Sequence, residues 1–344
     1  SMKKVLTFFL ISLVLFSATI FAAKDEILIG LSMCELQLER WQKDRDIFVN
    51  TAEKFGAKVI VQSSNNDDLL QISQVENMIT QGVDVLVIIA HDGNIMGSVV
   101  KEAHANGVPV IAYDRLLMDC DLDYFITFDP IKIGEYQAKY LVERKPKGNY
   151  FLLGGSPTDN NAHLVRQGQM NVLQPYIDRG DIKIVGDQWA KNWSAQEAMN
   201  IIENALTATK NQIDAIVASN DSTAGGAIEA LKEQGLAGKV LVSGQDADLV
   251  ACQRIVEGTQ TVTVYKPIKD IATQAAIMAV SIAKDVHIIT NGKADNGFKE
   301  VPTFYLEPIP VDINNIVDTV IKDGFHSLEE VYKNVPKSQW PKIN

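Results

Sequence analysis

The sequence has little of what marks nucleic-acid-binding, metal-binding and disulfide-stabilised proteins. Acidic residues outnumber basic ones by 43 to 32, so the chain carries a net charge of −11 and has no basic excess for binding phosphates. Its only three cysteines are Cys34, Cys120 and Cys252, and their scattered spacing fits neither a zinc site nor a disulfide framework. One disulfide bridge among the three cysteines remains possible but is not implied. We therefore expect no nucleic-acid partner, no metal and no cofactor.

Long hydrophobic runs are missing as well, with one exception at the N-terminus. Lys3-Lys4 precede an uncharged stretch from Val5 to Ala23, a pattern typical of a secretory signal peptide. The stretch is also just long enough to span a bilayer as an uncleaved anchor. In both cases residues 1–23 lie outside the fold. The rest of the chain is then expected to work outside the cytoplasm, in the periplasm or at the cell surface.

From Glu26 onward, predicted strands alternate with predicted helices of about a dozen residues. This order indicates βαβ units, and hence parallel sheets with helices on both faces. Ten or more strands are too many for one comfortable open sheet. A faint repeat between residues 83–92 and 213–221 also favours two similar halves. The predicted fold is therefore α/β, with two Rossmann-like, doubly wound lobes and a ligand cleft between them.

Polar and aromatic residues follow almost every predicted strand. The central example is the buried run Val108–Tyr113, which ends on Asp114-Arg115. Ligands of open α/β sheets bind at the carboxyl ends of the strands, so these side chains are candidates for a binding site. The full set consists of Arg40, Trp41, Lys43, His91, Asp92, Asp114, Arg115, Asp159, Asn160, Asn161, Trp189, Trp193, Asn220, Asp221, Gln245, Asp246 and Lys266.

This mixture suits a polyhydroxylated ligand. A sugar hydroxyl both donates and accepts, so it can pair with carboxylates, amides and cations alike. An indole can lie against the C–H face of a pyranose, with Trp193 as the first candidate and Trp189 as the second. Simpler roles remain open at this point. Trp41 could be a core residue, Asn161 and Asn220 could be helix caps, Lys266 could be exposed, and His91 could make only local hydrogen bonds.

Catalysis is the competing class of function. Asp114, Asp159 and Asp246 could supply a carboxylate pair for glycoside hydrolysis. The cations beside them would keep such carboxylates ionised, however, and so remove the general acid. No nucleotide-binding, nucleophile or metalloprotease motif occurs in the chain, and Gly154-Gly155 is only a weak sign of a phosphate loop. Binding without turnover is therefore the predicted function, with no catalytic residue.

Several long stretches carry a resemblance to a known family. They are LERWQKDRDIFV (38–49), ENMITQGVDVLVII (76–89), AYDR (112–115), GGSPTDNNA (154–162), GDQW (186–189), ASNDSTAGGAI (218–228), SGQDADL (243–249) and GTQTVTVYKPI (258–268). From about Glu26 to Leu328 the chain resembles the type I periplasmic sugar-binding proteins, which include the ribose- and galactose-binding proteins. Within that family it resembles the bacterial D-xylose-binding proteins.

The resemblance implies two lobes joined by three hinge crossings. Residues 24–128 with about 267–300 would form the N-terminal lobe, and residues 129–266 with about 301–344 the C-terminal lobe. The implied sugar contacts are Arg40, Trp41, Lys43, Asp114, Arg115, Asp159, Asn161, Trp193, Asn220, Asp246 and Lys266.

The resemblance also implies a receptor that is monomeric when free and closes on one monosaccharide. Its partner would be an ABC permease or, alternatively, a membrane sensor kinase. Two regions depart from the family pattern. Cys34 and Glu35 stand where an acidic pair is expected, and the tail beyond Tyr332 looks like an extension.

Overall fold

The computed structural model describes residues 26–343. The predicted signal or anchor segment, residues 1–23, lies outside the described residues. Within residues 26–343, none of the helices combines the length and the apolar character needed to cross a bilayer.

The described residues form strands and helices in the alternating order that the sequence predicts. The strands are β1 (Ile27–Met33), β2 (Ala57–Ser63), β3 (Val85–Ile88), β4 (Val110–Tyr113), β5 (Tyr124–Phe128), β6 (Gly148–Gly154), β7 (Ile182–Trp189), β8 (Ala215–Ala218), β9 (Leu241–Val242), β10 (Thr263–Tyr265), β11 (Gly292–Asp295), β12 (Glu300–Leu306) and β13 (Ile309–Val311). The α-helices are α1 (Glu39–Lys54), α2 (Asp68–Thr80), α3 (Gly97–Ala105), α4 (Pro130–Arg144), α5 (Asn160–Asp178), α6 (Ala195–Ala208), α7 (Asp221–Glu233), α8 (Leu249–Glu257), α9 (Ile268–Ala283) and α10 (Leu328–Val331).

The first lobe is built on a seven-stranded sheet of order β11-β12-β5-β4-β3-β1-β2. All its strands run parallel except β11, which pairs antiparallel with β12. Every residue of β3 and β4 is buried, as expected for parallel strands that are covered by helices on both faces. Phe48 of α1 and Met278 of α9 belong to the core on one of these faces.

The second lobe carries a four-stranded parallel sheet of order β7-β6-β8-β9 and the antiparallel pair β10-β13. Two backbone hydrogen bonds connect these sheets, from Thr261 N to Val242 O at 2.9 Å and from Val264 N to Gly244 O at 3.1 Å. The fold is therefore the predicted one, with two doubly wound lobes and the carboxyl ends of both sets of parallel strands turned toward the space between them.

The chain crosses between the lobes three times, after β5, after β10 and after β12. The expected return at about residue 301 is too early, because β12 pairs in parallel with β5 in the first sheet. The crossing follows Leu306. Near the C-terminus, Val317–Ile321 forms a π-helix. The tail beyond Tyr332 packs onto the second lobe through Val335 and Trp340.

Candidate functional site

A cavity lies between the lobes. Its lining consists of Leu38, Arg40, Trp41, Asp114, Arg115, Asp159, Asn161, Trp193, Asn220, Gln245, Asp246 and Lys266. Ten of the eleven residues predicted as sugar contacts are therefore brought together, and the exception is Lys43. Leu38 is an addition that no strand-end argument identified, while Gln245 belongs to the wider strand-end set.

Asp114 and Asp246 occupy matching positions in the two lobes. Each follows a strand end in an unusual backbone conformation, with φ of +66° at Asp114 and +106° at Asp246. Each backbone N–H donates to a carbonyl of a neighbouring strand, Asp114 to Ile126 and Asp246 to Val264, both at 2.8 Å. Aspartate tolerates positive φ better than most residues, and such conformations are concentrated at functional sites. The same local structure thus presents one carboxylate to the cavity from each lobe.

These two carboxylates share two cations across the cleft. Nη1 of Arg40 lies 3.3 Å from Oδ1 of Asp114 and 3.7 Å from Oδ1 of Asp246. Nζ of Lys266 lies 3.1 Å from Oδ1 of Asp246 and 3.6 Å from Oδ1 of Asp114. Behind them, Asp44 fixes the guanidinium of Arg40 by accepting from Nη2 at 3.0 Å and from Nε at 3.2 Å.

The buried charges shift one another's pKa values. Burial raises the pKa of Asp114, but the positive charges of Arg40, Lys266 and Arg115 outweigh this effect and lower the pKa to about 2. Burial alone would lower the pKa of Arg40, yet the nearby carboxylates raise it well above its ordinary value. The cavity holds three cations and three carboxylates in all. Its formal charges balance, so it suits a neutral ligand better than a phosphate or a sugar acid.

A second group of contacts surrounds Arg115. Its Nε lies 3.2 Å from Oδ2 of Asp159, and its Nη1 donates to the carbonyl of Ala90 at 3.1 Å. Cys34 lies behind the guanidinium, with Sγ 3.6 Å from Nη1. Burial raises the pKa of this thiol to about 11, despite the positive charge of Arg115. Cys34 therefore supports Arg115 as a neutral thiol and does not line the cavity.

Helix capping explains part of the polar set but does not compete with the site. Asp159 caps α5 by accepting from Asn161 N at 2.9 Å, so Asn161 is not the cap. The side-chain amide of Asn161 instead donates to the carbonyl of Asp114 in the other lobe at 2.5 Å. Asn220 caps α7 by accepting from Thr223 N at 2.9 Å and also lines the cavity. The two roles coexist because the helices begin at the carboxyl ends of the strands.

The glycine pair Gly154-Gly155 accommodates two indoles. A Cβ on Gly155 would collide with the six-membered ring of Trp193, and a Cβ on Gly154 would come within 2.5 Å of Cε3 of Trp189. Trp193 lines the cavity and donates through Nε1 to Oδ2 of Asp159 at 3.1 Å. Trp189 lies outside the cavity and packs beneath the guanidinium of Arg166, which is 4.4 Å from its ring centroid. Close packing accounts for both glycines, and no phosphate is needed to explain them.

Three cavity atoms are buried without a well-aligned hydrogen bond. Among the described residues the buried side-chain atoms of this kind include Nε1 of Trp41, Nε of Arg115 and Oδ1 of Asp246. Buried polar groups are nearly always paired. Two donors and one acceptor at one cavity therefore match a ligand whose groups both accept and donate, as hydroxyls do. Trp41 is 1% exposed and lines this cavity, so it is a core residue and a cavity residue at once.

The expectation that Lys43 faces the cavity is not met. Its Nζ donates to the carbonyl of Phe325 at 2.8 Å and lies 4.2 Å from the centre of that ring. Glu35 is likewise outside the lining, and its carboxylate accepts from Leu38 N at 3.0 Å just before α1. His91 contacts Asp68 of its own lobe at 2.7 Å and Asn192 of the other lobe at 2.9 Å, so its hydrogen bonds are not only local.

The described part of the chain shows neither grouped metal ligands nor paired thiols. No cluster of three or more His, Cys, Asp or Glu residues between 26 and 343 could hold a metal ion. Cys34, Cys120 and Cys252 are all free and buried. The arrangement is that of a binding site built from charged groups, amides and indoles.

The two doubly wound lobes are joined by three crossings and share one cavity lined by charged groups and indoles. This arrangement defines a bilobal solute-binding protein. The chain belongs to the periplasmic binding protein family, since the profile of the periplasmic binding protein domain matches residues 29–285. This confirms both the fold class and the family that the sequence motifs indicate.

Characterised relatives cover nearly the whole chain. It is 58% identical to a D-xylose-binding periplasmic protein of Haemophilus influenzae, over 93% of this chain and 96% of that protein. It is 57% identical to a D-xylose-binding periplasmic protein of Escherichia coli, over 90% and 94% of the two chains. Among solved structures, an ABC transporter solute-binding protein of Clostridium phytofermentans with bound β-D-glucose superposes with a TM-score of 0.83. That protein is 31% identical, and the match covers 88% of this chain and 99% of the other.

Proposed function

We propose that this protein is an extracytoplasmic receptor that closes on one molecule of D-xylose and delivers it to an ABC sugar importer. The observation that carries the proposal is the charge-balanced cavity, which receives carboxylates, cations and an indole from both lobes. Two relatives of nearly equal length, at 58% and 57% identity, are named for D-xylose and for the periplasm. Both support the choice of sugar and of compartment.

In this proposal the sugar replaces direct contacts between the lobes. Asp114 and Asp246 accept hydrogen bonds from hydroxyls, while Arg40, Arg115 and Lys266 donate to them. Trp41 and Trp193 lie against the apolar faces of the ring. Because the two lobes each supply part of the set, a bound sugar favours the closed form over the open one. The closed form is then what the permease recognises.

We also propose that the site binds without turnover. Despite burial, the three cations lower the pKa of Asp114 to about 2, so this carboxyl holds no proton to donate near neutral pH. Asp114 therefore cannot be the protonated general acid that a glycosidase needs, although burial raises the pKa of Asp159 in the same cavity.

Calorimetry of residues 24–344 against D-xylose, D-ribose, L-arabinose, D-glucose and D-galactose tests the function. We expect one-to-one binding with D-xylose bound most tightly. Absence of heat with all five sugars would refute sugar binding, and formation of a product would refute the binding-only role.

Mass determination of the exported protein would show whether the segment before residue 24 is removed, as a released transport receptor requires.

A matched pair of tryptophans tests the site. Trp193 lines the cavity and Trp189 does not, although each packs on one glycine of the same pair. Trp193→Ala should weaken D-xylose binding by at least tenfold, whereas Trp189→Ala should stay within about threefold of the unmodified protein. Equal losses in the two variants would contradict the proposed role of Trp193.

A further inference from the structure

A second set of contacts joins the lobes outside the cavity. It consists of Glu39 and Lys43 on α1 of the first lobe, facing Leu249, Phe325 and His326 of the second lobe, and we refer to it as the α1 latch. The carboxylate of Glu39 accepts from Leu249 N through Oε2 at 3.0 Å, and its Oε1 lies 3.6 Å from Nδ1 of His326. Lys43 Nζ lies 3.6 Å from Oε1 of Glu39 and donates to the Phe325 carbonyl at 2.8 Å.

The contact to Leu249 has a specific structural role, because Leu249 is the first residue of α8. The N-cap residue of this helix, Asp248, makes no side-chain cap hydrogen bond. By contrast, α5, α6 and α7 are capped by their own Asp159, Ser194 and Asn220. The first N–H groups of a helix need acceptors and favour a negative charge. Glu39 of one lobe therefore supplies the cap that a helix of the other lobe lacks.

The latch is connected to the cavity on both sides. Glu39 lies between Leu38 and Arg40, which both line the cavity, although Glu39 itself does not. On the other lobe, Nε2 of His326 donates to the carbonyl of Ala247 at 2.8 Å, directly after Asp246. The His326 side chain is 1% exposed, so this contact is well packed. Closing the lobes on a ligand and forming the cap are thus one movement.

We propose that Glu39 is a positioning residue that stabilises the closed form by capping α8 across the cleft. It raises the affinity for every sugar the protein accepts by the same factor, because it acts on the open–closed equilibrium and touches no sugar. The apparent affinity of a receptor falls in proportion to the fraction of molecules in the binding-competent state. The affinity part of this inference rests on the proposed function, while the capping part does not.

The test compares three variants on one helix. Glu39→Ala removes the cap, Glu39→Gln retains an acceptor without the charge, and Glu53→Ala removes an exposed glutamate near the other end of α1. A lost cap corresponds to roughly a fivefold change in an equilibrium constant. By calorimetry, Glu39→Ala should therefore weaken D-xylose and a second, weaker-binding sugar from the panel by about fivefold each. Glu39→Gln should recover part of the loss, and Glu53→Ala should match the unmodified protein.

Hydrogen exchange of the Leu249 amide provides a readout that does not depend on affinity. It should be faster in Glu39→Ala than in Glu53→Ala, because only the first variant loses the acceptor. Unchanged exchange in Glu39→Ala would overturn the inference, and so would unchanged affinity. A loss confined to one sugar would assign Glu39 to the sugar itself and would also overturn it. If the unmodified protein bound no sugar, the proposed function would fail, and the exchange comparison alone would decide the capping role.

Discussion

Replacement of Asp246 by asparagine removes one charge from the cavity and leaves its shape almost unchanged. Asparagine is the informative substitution because residue 246 has φ of +106°, a conformation in which alanine would add backbone strain of its own. The carboxylate is buried, and its Oδ1 lies 3.1 Å from Lys266 and 3.7 Å from Arg40. The cavity of the variant then carries three cations against two carboxylates.

The size of the effect follows from what Asp246 would offer a sugar. Its Oδ1 is ion-paired with Lys266 but lacks a well-aligned hydrogen bond within the protein, so it can still accept one from a hydroxyl. A hydrogen bond to a charged group contributes about 1.5–3 kcal/mol. Its loss corresponds to roughly 10- to 150-fold weaker binding. The melting temperature without sugar should fall as well, because Lys266 and Arg40 lose a buried counter-charge although asparagine accepts the same backbone conformation.

Calorimetry with D-xylose at 25 °C measures this loss. Asp119→Asn is the matched control, because Asp119 also has a positive φ, of +52°, yet is exposed and does not line the cavity. We expect the control to bind like the unmodified protein. Binding by Asp246→Asn within threefold of the control would refute the role of this carboxylate as a sugar acceptor.

Three further outcomes are expected. Gly155→Ala should displace Trp193 and weaken D-xylose binding by at least tenfold, and a matching change in tryptophan fluorescence should accompany the loss; normal binding would contradict the packing argument. The pKa of Asp114 is about 2, below its ordinary value, so the stability that this group contributes should be constant above about pH 4 and should be lost as the pH falls toward 2. Thermal unfolding of the unmodified protein and of Asp114→Asn measures this contribution, and a difference between the two that already shrinks at pH 5 would refute the assignment. Burial raises the pKa of the Cys34 and Cys120 thiols to about 11, so at pH 8 a thiol reagent should react slowly with the folded protein and rapidly after denaturation; fast labelling of the folded protein would contradict this.

The fold class and most of the cavity could be predicted from the amino-acid sequence. Alternating strands and helices imply parallel sheets, and parallel strands bring their carboxyl ends to one edge. Asp114 directly follows β4 and Asp246 lies in the loop after β9, so the two were predictable as neighbours although they are far apart in the chain. The same rule predicted Lys266 and Trp193. Lys266 directly follows β10, and Trp193 lies in the segment after β7.

Tertiary structure decided the features that depend on the rotation of a helix or the pairing of distant segments. Arg40 and Lys43 lie about one turn apart on α1, yet Arg40 lines the cavity and Lys43 donates to the carbonyl of Phe325. The final crossing follows Leu306 because β12 finds a partner in β5, which the pattern of its own residues does not specify.

The contact between Glu39 and Leu249 joins residues that lie 210 positions apart in the chain, and no local sequence pattern predicts it. Local patterns report which side chains face a buried strand or helix surface, because that choice follows the period of the element. The partner of an exposed side chain is set only when the lobes meet. The sequence therefore determined which groups surround the cavity, and the closed arrangement of the two lobes decided which groups hold it shut.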